Sequence, residues 1–408
     1  MTDNPAVRRL SDWDAERLRG VAAEHGTPTY VLDLDRVREN AARLREAFPE
    51  ADLAYAVKAN TTRAVLETVR NAGVGAECAS AGELKRVLAA GFPGERVRYT
   101  AVNPPDRDLD LVSDLAVDHD VTVTVGAGDT LKRLAEREYA GRVAVRVNPG
   151  VGAGHHEKVS TGAEPKFGIP YERAATFVDH AAAEYDVVGV HAHVGSGVSR
   201  DDLSAHQELV ARMSDLAARL DHDLEFVAVG GGFGVPYRDD EPPLDLEAVA
   251  QATRDAYDAA PRLAVEPGRY FVADAGVLLT TVNTIKETPE TTVVGIDAGM
   301  TALVRPAMYG AFHAVRSLAP DTPQREIERV ELAGPVCETA DVLGRDRPLP
   351  APERGDLLAV GNTGAYGYEM ASNYNSRPRP AVVAREGGDA RVAVRRETLA
   401  DVTRLESW

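Results

Sequence analysis

LAYAVKANTTRAVLETVRNAGVGAECASAGELKRVLAAGFPGERVRYTA, residues 53–101, decides the fold class. Three short apolar segments, LAYAVKA from Leu53, VGAECA from Val74 and RVRYTA from Arg96, alternate with helix-like stretches. Near-continuous apolar runs of this length suit parallel strands covered on both faces. Ser80 stands three residues before Glu83, a capping-box spacing, and Gly91 follows the helix they would open.

The alternation continues through VTVTVG from Val121, VAVRVN from Val143, VVGVHAHV from Val187, LEFVAVGG from Leu224 and RLAVEP from Arg262. That makes eight strand candidates. Between Asp201 and Leu220, the residues Leu203, Leu209, Val210, Met213, Leu216 and Leu220 fall near one helical face. Eight β/α units favour a closed, TIM-like (β/α)8 barrel over an open sheet. After about Tyr270 the pattern turns to strands: GVLLTTVNTI, TTVVGIDAG, DLLAV, and AVVAR with ARVAV joined through Gly387, Gly388 and Asp389. TYVLD from Thr29 could return to this region as another strand. The expected organisation is a barrel over 33–270 and an antiparallel β domain from 1–32 and 271–408.

The 408 residues carry 64 Asp and Glu against 46 Lys and Arg, for a formal charge of -18. Such a surface repels phosphate backbones and anionic bilayers, so neither nucleic acid nor membrane is an expected partner. Only 6 of the cations are Lys and 40 are Arg, an acid-rich, lysine-poor balance that would suit a salt-adapted cytosol. No apolar run is long enough to span a bilayer, and MTDNPAVRRLSDWD has no signal-peptide core, so the expected location is cytoplasmic. Two cysteines, Cys78 and Cys337, rule out a disulfide scaffold.

In a barrel, the carboxyl ends of the strands surround one mouth. Lys58, His191 and His193, the triplet Gly230, Gly231 and Gly232, and Glu266 all fall at such ends. A lysine there is either half of a buried ion pair or an amine that forms an imine with a carbonyl. Successive glycines let main-chain N–H groups approach a phosphate, and Ser196 offers a hydroxyl. With an inward acid at Glu266 to keep a pyridine nitrogen protonated, the set suggests pyridoxal phosphate. The HxH spacing of His191 and His193 raises a metal-hydrolase rival, because alternate strand residues share a side. No other strand end carries a histidine, and His155 and His156 lie in a glycine-rich loop, so no metal site is expected. His193 suits a planar group against a cofactor ring; His191 is open between that site and the core.

YAVKAN from Tyr55, RVNPGVGAGHHEKVSTGAEPKFGI from Arg146, HAHVGSG from His191, GGG from Gly230 and EPGRY from Glu266 resemble the fold-type III pyridoxal-phosphate decarboxylases. GPVCETAD from Gly334 and MASNYNSRPRP from Met370 narrow the resemblance to the diaminopimelate decarboxylase family, over roughly Thr27 to Pro380. It implies decarboxylation of meso-2,6-diaminopimelate to L-lysine through an external aldimine, the last step of lysine biosynthesis by the diaminopimelate pathway. It implies a barrel followed by a β domain that completes the substrate site, in a homodimer with shared active sites. By motif, Lys58 resembles the Schiff-base lysine, His193 the ring-stacking residue and Glu266 the partner of the ring nitrogen. Ser196, Gly231, Gly232, Gly268, Arg269 and Tyr366 would hold phosphate, and Glu77 would take an acidic role near the cofactor. Arg269, Arg305, Tyr309 and Tyr366 resemble substrate contacts, and Cys337 and Glu338 the acid donor and ammonium reader delivered by the partner. Departures occur at HVGSG, where Gly197 lacks the usual amide, at GAECASAGE from Gly75, and at TAVNPPD from Thr100. Rivals are another amino-acid or polyamine-precursor decarboxylase of this fold, an alanine-racemase-like enzyme, and a non-enzymatic cofactor-binding protein.

Overall fold

The computed structural model of the chain describes residues 6–151, 166–196, 198 and 202–407. His155, His156, Gly197 and Asp201 lie outside the described residues. The chain forms two compact units, Asn40–Gly234 with Leu244–Phe271, and Met1–Glu39 with Val235–Pro243 and Val272–Trp408.

Strand β1 (Thr29–Asp33) belongs to the second of these units. The first holds β2 (Asp52–Ala56), β3 (Gly75–Cys78), β4 (Val97–Tyr99), β5 (Thr122–Val125) and β6 (Arg142–Asn148). It continues with the two-residue β7 (Ile169–Pro170), then β8 (Asp186–His191), β9 (Phe226–Ala228) and β10 (Arg262–Val265). The order β5-β4-β3-β2-β10-β9-β8-β6 closes through pairing of β5 with β6, and every pairing is parallel. The eight expected strands therefore make a closed barrel, with β7 an outlying pair on β6.

One apolar cluster of the barrel unit gathers small side chains around a large one. Ala144, Val188, Ala228 and Ala264 pack around Phe226, and a Cβ on Gly189 would stand 2.6 Å from that ring. The glycine thus leaves the space that the phenyl group fills. Ser80 caps the helix Ala81–Ala89, accepting from Glu83 N at 3.2 Å, but the Glu83 carboxylate accepts from Ala79 N and not from the cap residue itself. The helix Ser204–Arg219 buries Leu209, Val210, Met213 and Leu216, while Leu203 and Leu220 become its two caps.

In the second unit, β11 (Gly276–Glu287), β12 (Thr292–Ile296), β13 (Val315–Ser317), β14 (Ile327–Ala333), β15 (Val342–Pro350), β16 (Leu357–Val360), β17 (Ala381–Glu386) and β18 (Asp389–Val394) join β1. β1 pairs antiparallel with β11 and parallel with β17. β12 and β14 are also parallel, so the sheet is mixed where the sequence suggested an antiparallel one. A parallel pair needs a crossover connection. Residues 297–326 provide it, carrying the short helix Arg305–Tyr309. The β17–β18 turn uses Gly387 and Gly388, both at positive φ, as a two-residue hairpin requires. Leu10, Trp13, Leu18, Val31, Val277 and Val383 form part of this unit's core. Among the described residues no helix is long and apolar enough to cross a membrane.

Inside the barrel unit, Thr253 Oγ1 donates to Val249 O and therefore accepts from His206 Nε2 at 2.7 Å. Burial lowers the His206 pKa to about 4. Its unfolded value is about 6.5, so stability is full above that pH and is lost as pH falls towards 4, by at most about 3 kcal/mol. His206→Gln keeps a donor but cannot titrate. Urea midpoints of the Gln variant should fall less between pH 7.5 and 4.5 than those of the parent; equal losses would exclude His206 as the cause.

Candidate active site

Lys58 lies in a single turn, Val57–Ala59, immediately beyond the end of β2 at Ala56. Its Nζ donates to Glu77 Oε2 at 2.6 Å. Glu77 is buried on β3, whereas the Lys58 side chain keeps 42% of its exposure. The amine therefore sits at the mouth, held by a carboxylate beneath it. This joins the ion-pair and reactive-amine readings in one arrangement: the pair exists, and its lysine remains accessible.

Strand β8 ends at His191, three residues earlier than the sequence suggested, so His193 lies in the following turn. The two histidines take different partners. His191 Nε2 donates to Glu266 Oε2 at 3.0 Å, while His193 Nδ1 accepts from Gly231 N at 3.3 Å. Burial, with the charges of Lys58 and Arg146, lowers the His193 pKa to about 3. The imidazole is neutral at physiological pH, its proton on Nε2.

The glycine triplet is dictated by close approach. A Cβ on Gly230 would stand 2.3 Å from His193 Nδ1, on Gly231 2.3 Å from Glu266 O, and on Gly232 2.2 Å from Gly195 O. Gly230 and Gly232 also have φ of +70° and +88°. Gly268 packs as closely, its Cβ position 2.9 Å from Ala56 O, while Ala56 N donates to Pro267 O. Ser196 is half-buried and follows Gly195, whose carbonyl faces Gly232, and Arg269 opens the short helix Arg269–Val272.

Glu266 is 4% exposed. Burial pushes its pKa up, but the charge and hydrogen bond of His191, then Arg98 and Lys58, hold it below the usual carboxylate range. Arg98 Nη1 is 3.5 Å from Glu266 Oε1, and its other arm pairs with Asp52. Among the described residues Oε1 has no hydrogen-bond partner. Arg146 is buried nearby in charge terms: burial lowers its pKa, and Glu77 and Glu266 oppose that. Arg98 and Arg146 received no role from the sequence. Arg98 could have been noticed as a charge inside the apolar segment RVRYTA.

In the β unit, Arg305 is 3% exposed. Its Nη1 donates to Tyr237 OH at 3.0 Å and to His313 Nε2 at 2.9 Å. His313 Nδ1 donates to Gly361 O at 2.8 Å, which leaves Nε2 as the acceptor that the guanidinium needs. Tyr237 and His313 were not picked out by the sequence, since neither lies in a recognised motif. Tyr309 ends the same short helix and is half-buried. Cys337 and Glu338 are exposed on the loop between β14 and β15. Cys337 Sγ donates to Asn375 Oδ1 at 3.7 Å, and Tyr374 OH donates to Glu338. Buried Asp341 accepts from Val336 N at 2.7 Å and Met300 N at 2.5 Å, and this carboxylate shapes the loop. Tyr366 is half-buried with φ of +56°.

The barrel residues fit pyridoxal 5'-phosphate. They present an accessible amine at Lys58, a glycine turn that no side chain could replace, and a buried carboxylate oxygen lacking a donor. Residues 34–273 match the family model described as "Pyridoxal-dependent decarboxylase, pyridoxal binding domain". A diaminopimelate decarboxylase from Methanothermobacter thermautotrophicus is 42% identical, over 94% of this chain and 92% of its own length. The chain belongs to the diaminopimelate decarboxylase family. It is a pyridoxal-phosphate-dependent enzyme of fold type III. The Helicobacter pylori diaminopimelate decarboxylase, solved with L-lysine, covers 96% of this chain and 99% of its own at 33% identity and a TM-score of 0.87. The M. jannaschii enzyme, also solved with L-lysine, gives the same identity and TM-score over 99% of this chain and 96% of its own.

Gly232→Ala places a methyl group against Gly195 O at a backbone angle that L residues avoid. Titration of the apoprotein should show cofactor binding weakened by at least about tenfold, a loss of ~1.4 kcal/mol. Parent-like affinity would show that the turn has no part in the cradle.

Proposed function

We propose that the enzyme decarboxylates meso-2,6-diaminopimelate to L-lysine and carbon dioxide, in the cytoplasm, as a homodimer with shared active sites. The observation that carries this reading is the convergence of Lys58, Glu77, His193, the glycine turn and Glu266 in one barrel of this family. Pyridoxal 5'-phosphate, when bound, supplies an electron sink for the pair released by the breaking carbon–carboxylate bond. Lys58 would hold the cofactor covalently and recover it as product leaves, with Glu77 steering its amine. Glu266 would accept a hydrogen bond from the protonated ring nitrogen, and neutral His193 would lie against the ring without adding charge. Ser196, Gly231, Gly232, Gly268 and Arg269 would hold the phosphate, joined by Tyr366.

The distal end of the substrate keeps a carboxylate and an ammonium group. A guanidinium matches a carboxylate with two parallel donors. We assign Arg269, Arg305 and Tyr309 to that carboxylate, with Tyr366 also on the substrate, and Glu338 to the ammonium group. Tyr237 and His313 support this assignment by pre-orienting Arg305. Cys337 would pass its thiol proton to the carbon that lost carbon dioxide and regain one from solvent. Cys337 and Glu338 are assigned to the partner's site, for which their exposure on a loop leaves them available. The β domain would thus complete the substrate site and the dimer.

Carbon dioxide release from meso-2,6-diaminopimelate, with L-lysine identified as product, tests the reaction. Absence of release, or faster turnover of ornithine, arginine, D-lysine or carboxynorspermidine, would overturn it. Lys58→Ala should abolish the visible imine absorption and turnover. Arg305→Ala should keep that absorption while kcat/KM falls at least about 100-fold. Normal efficiency in either variant defeats its assignment. Mixed Lys58→Ala and Cys337→Ala subunits should regain part of the activity that each lacks alone. No recovery after demonstrated subunit exchange would remove the shared site.

A further inference from the structure

The carboxylate of Glu266 uses its two oxygens unequally. Oε2 accepts from His191, whereas Oε1 is buried without a hydrogen bond although Arg98 Nη1 is 3.5 Å away. An arginine beside a carboxylate ordinarily closes on it as a two-pronged fork. Here that fork is open. One arm of Arg98 is engaged by Asp52, and the Arg98 guanidinium rests 4.2 Å from the centre of the Phe226 ring. The other charges facing Glu266 are Lys58 after β2, with its partner Glu77 on β3, and Arg146 on β6. His193, beyond β8, faces it as a neutral ring.

His191 is the last residue of β8, in register with Arg146 on one neighbouring strand and Ala228 on the other. It is 3% exposed, and its Nδ1 is buried with no hydrogen-bond partner among the described residues. An imidazole that leaves one nitrogen unsatisfied in the interior is not explained as a contented core residue. Among the described residues, the one hydrogen bond of its side chain is to Glu266.

We propose that His191 is a positioning residue for Glu266: by occupying Oε2 it keeps the carboxylate from closing onto Arg98 and reserves Oε1 for the ring nitrogen of the cofactor. This rests on the pyridoxal-phosphate reading above. Without the imidazole donor, the carboxylate turns so that both oxygens meet Arg98, and the ring nitrogen loses its acceptor. His191 contributes no proton to the reaction; its effect passes through the orientation of Glu266.

The test compares apoprotein affinity for pyridoxal 5'-phosphate with that for the analogue whose ring nitrogen is replaced by carbon. The parent should prefer the natural cofactor by about tenfold or more, as a charge-assisted hydrogen bond provides. His191→Phe, which keeps a ring but no donor, should lose most of that preference, and His191→Gln should restore it. If the Phe variant does not fold, His191→Asn, whose amide falls short of Oε2, carries the same comparison. Unchanged preference in the donor-less variant overturns the positioning role. A parent that does not discriminate removes the Glu266–ring contact on which the proposal rests, and a parent that binds neither compound removes the cofactor reading itself.

Discussion

A carboxylate buried inside a barrel sets the terms for everything around it. Taking such an ion out of water carries an effective penalty of several kcal/mol unless opposite charges and donors replace the lost hydration. Glu266 meets that demand with His191, Arg98 and Lys58. Arg98 in turn needs Asp52, and Lys58 needs Glu77. Three acids, Glu266, Asp52 and Glu77, thus stand among His191, Arg98, Lys58 and Arg146 in the interior and at the mouth. Removing Arg98 takes from buried Glu266 a charge that helps hold it ionised. The same requirement explains the small residues lining the barrel. Ala144, Ala228 and Ala264 admit a single large side chain, Phe226, whose ring face supports the Arg98 guanidinium.

The β unit answers a similar problem with neutral groups. Arg305 is as deeply buried as Glu266, and a phenol and an imidazole hold it. Among its contacts are a phenol and an imidazole whose far nitrogen is tied to a main-chain carbonyl. These bonds fix the orientation of the guanidinium. A guanidinium held in one orientation suits the two parallel donors that a carboxylate needs. Asp341 plays the corresponding part for the Cys337 loop. Cβ atoms at Gly299 and Gly334 would collide with its carboxylate at 2.5 and 2.3 Å, so the loop shape and its glycines are one feature.

Strand alternation, the eight-fold count and the return of TYVLD to the β sheet were legible because burial on both faces writes continuous apolar runs into the chain. The ends of those runs were less clear. VHAHV continues apolar past His191, yet the strand stops there because the glycine turn at Gly230 to Gly232 draws His193 out of the ladder. The parallel pairing of β12 with β14 was invisible, since a strand's own sequence does not name its neighbour's direction. Lys58, Glu77, His193 and Glu266 were readable from motif and position. Arg98, Tyr237 and His313 act through distant partners, such as Arg98 with Glu266, Arg305 with Tyr237 at a separation of 68 and His313 with Gly361 at 48, and no local pattern announces such pairs.

Backbone strain adds an independent clue to where function is placed. Tyr366 holds φ at +56° between Gly364 and Gly367, in a segment so tight that Cβ atoms at those glycines would lie 1.9 Å from Val272 O and 2.3 Å from Thr363 O. A left-handed conformation costs a side-chain-bearing residue roughly 1–2 kcal/mol. Asn362, four residues earlier, has φ of +53° as well, but its amide donates to Pro236 O at 2.7 Å, a local compensation suited to asparagine. Tyrosine has no such short polar arm. The neighbouring glycines give way so that a phenol can be carried at an angle the chain would otherwise avoid, an outlier of the kind that marks functional positions. The phosphate and substrate contacts assigned to Tyr366 supply such a role, whereas packing alone would be served equally well by a residue in a relaxed conformation.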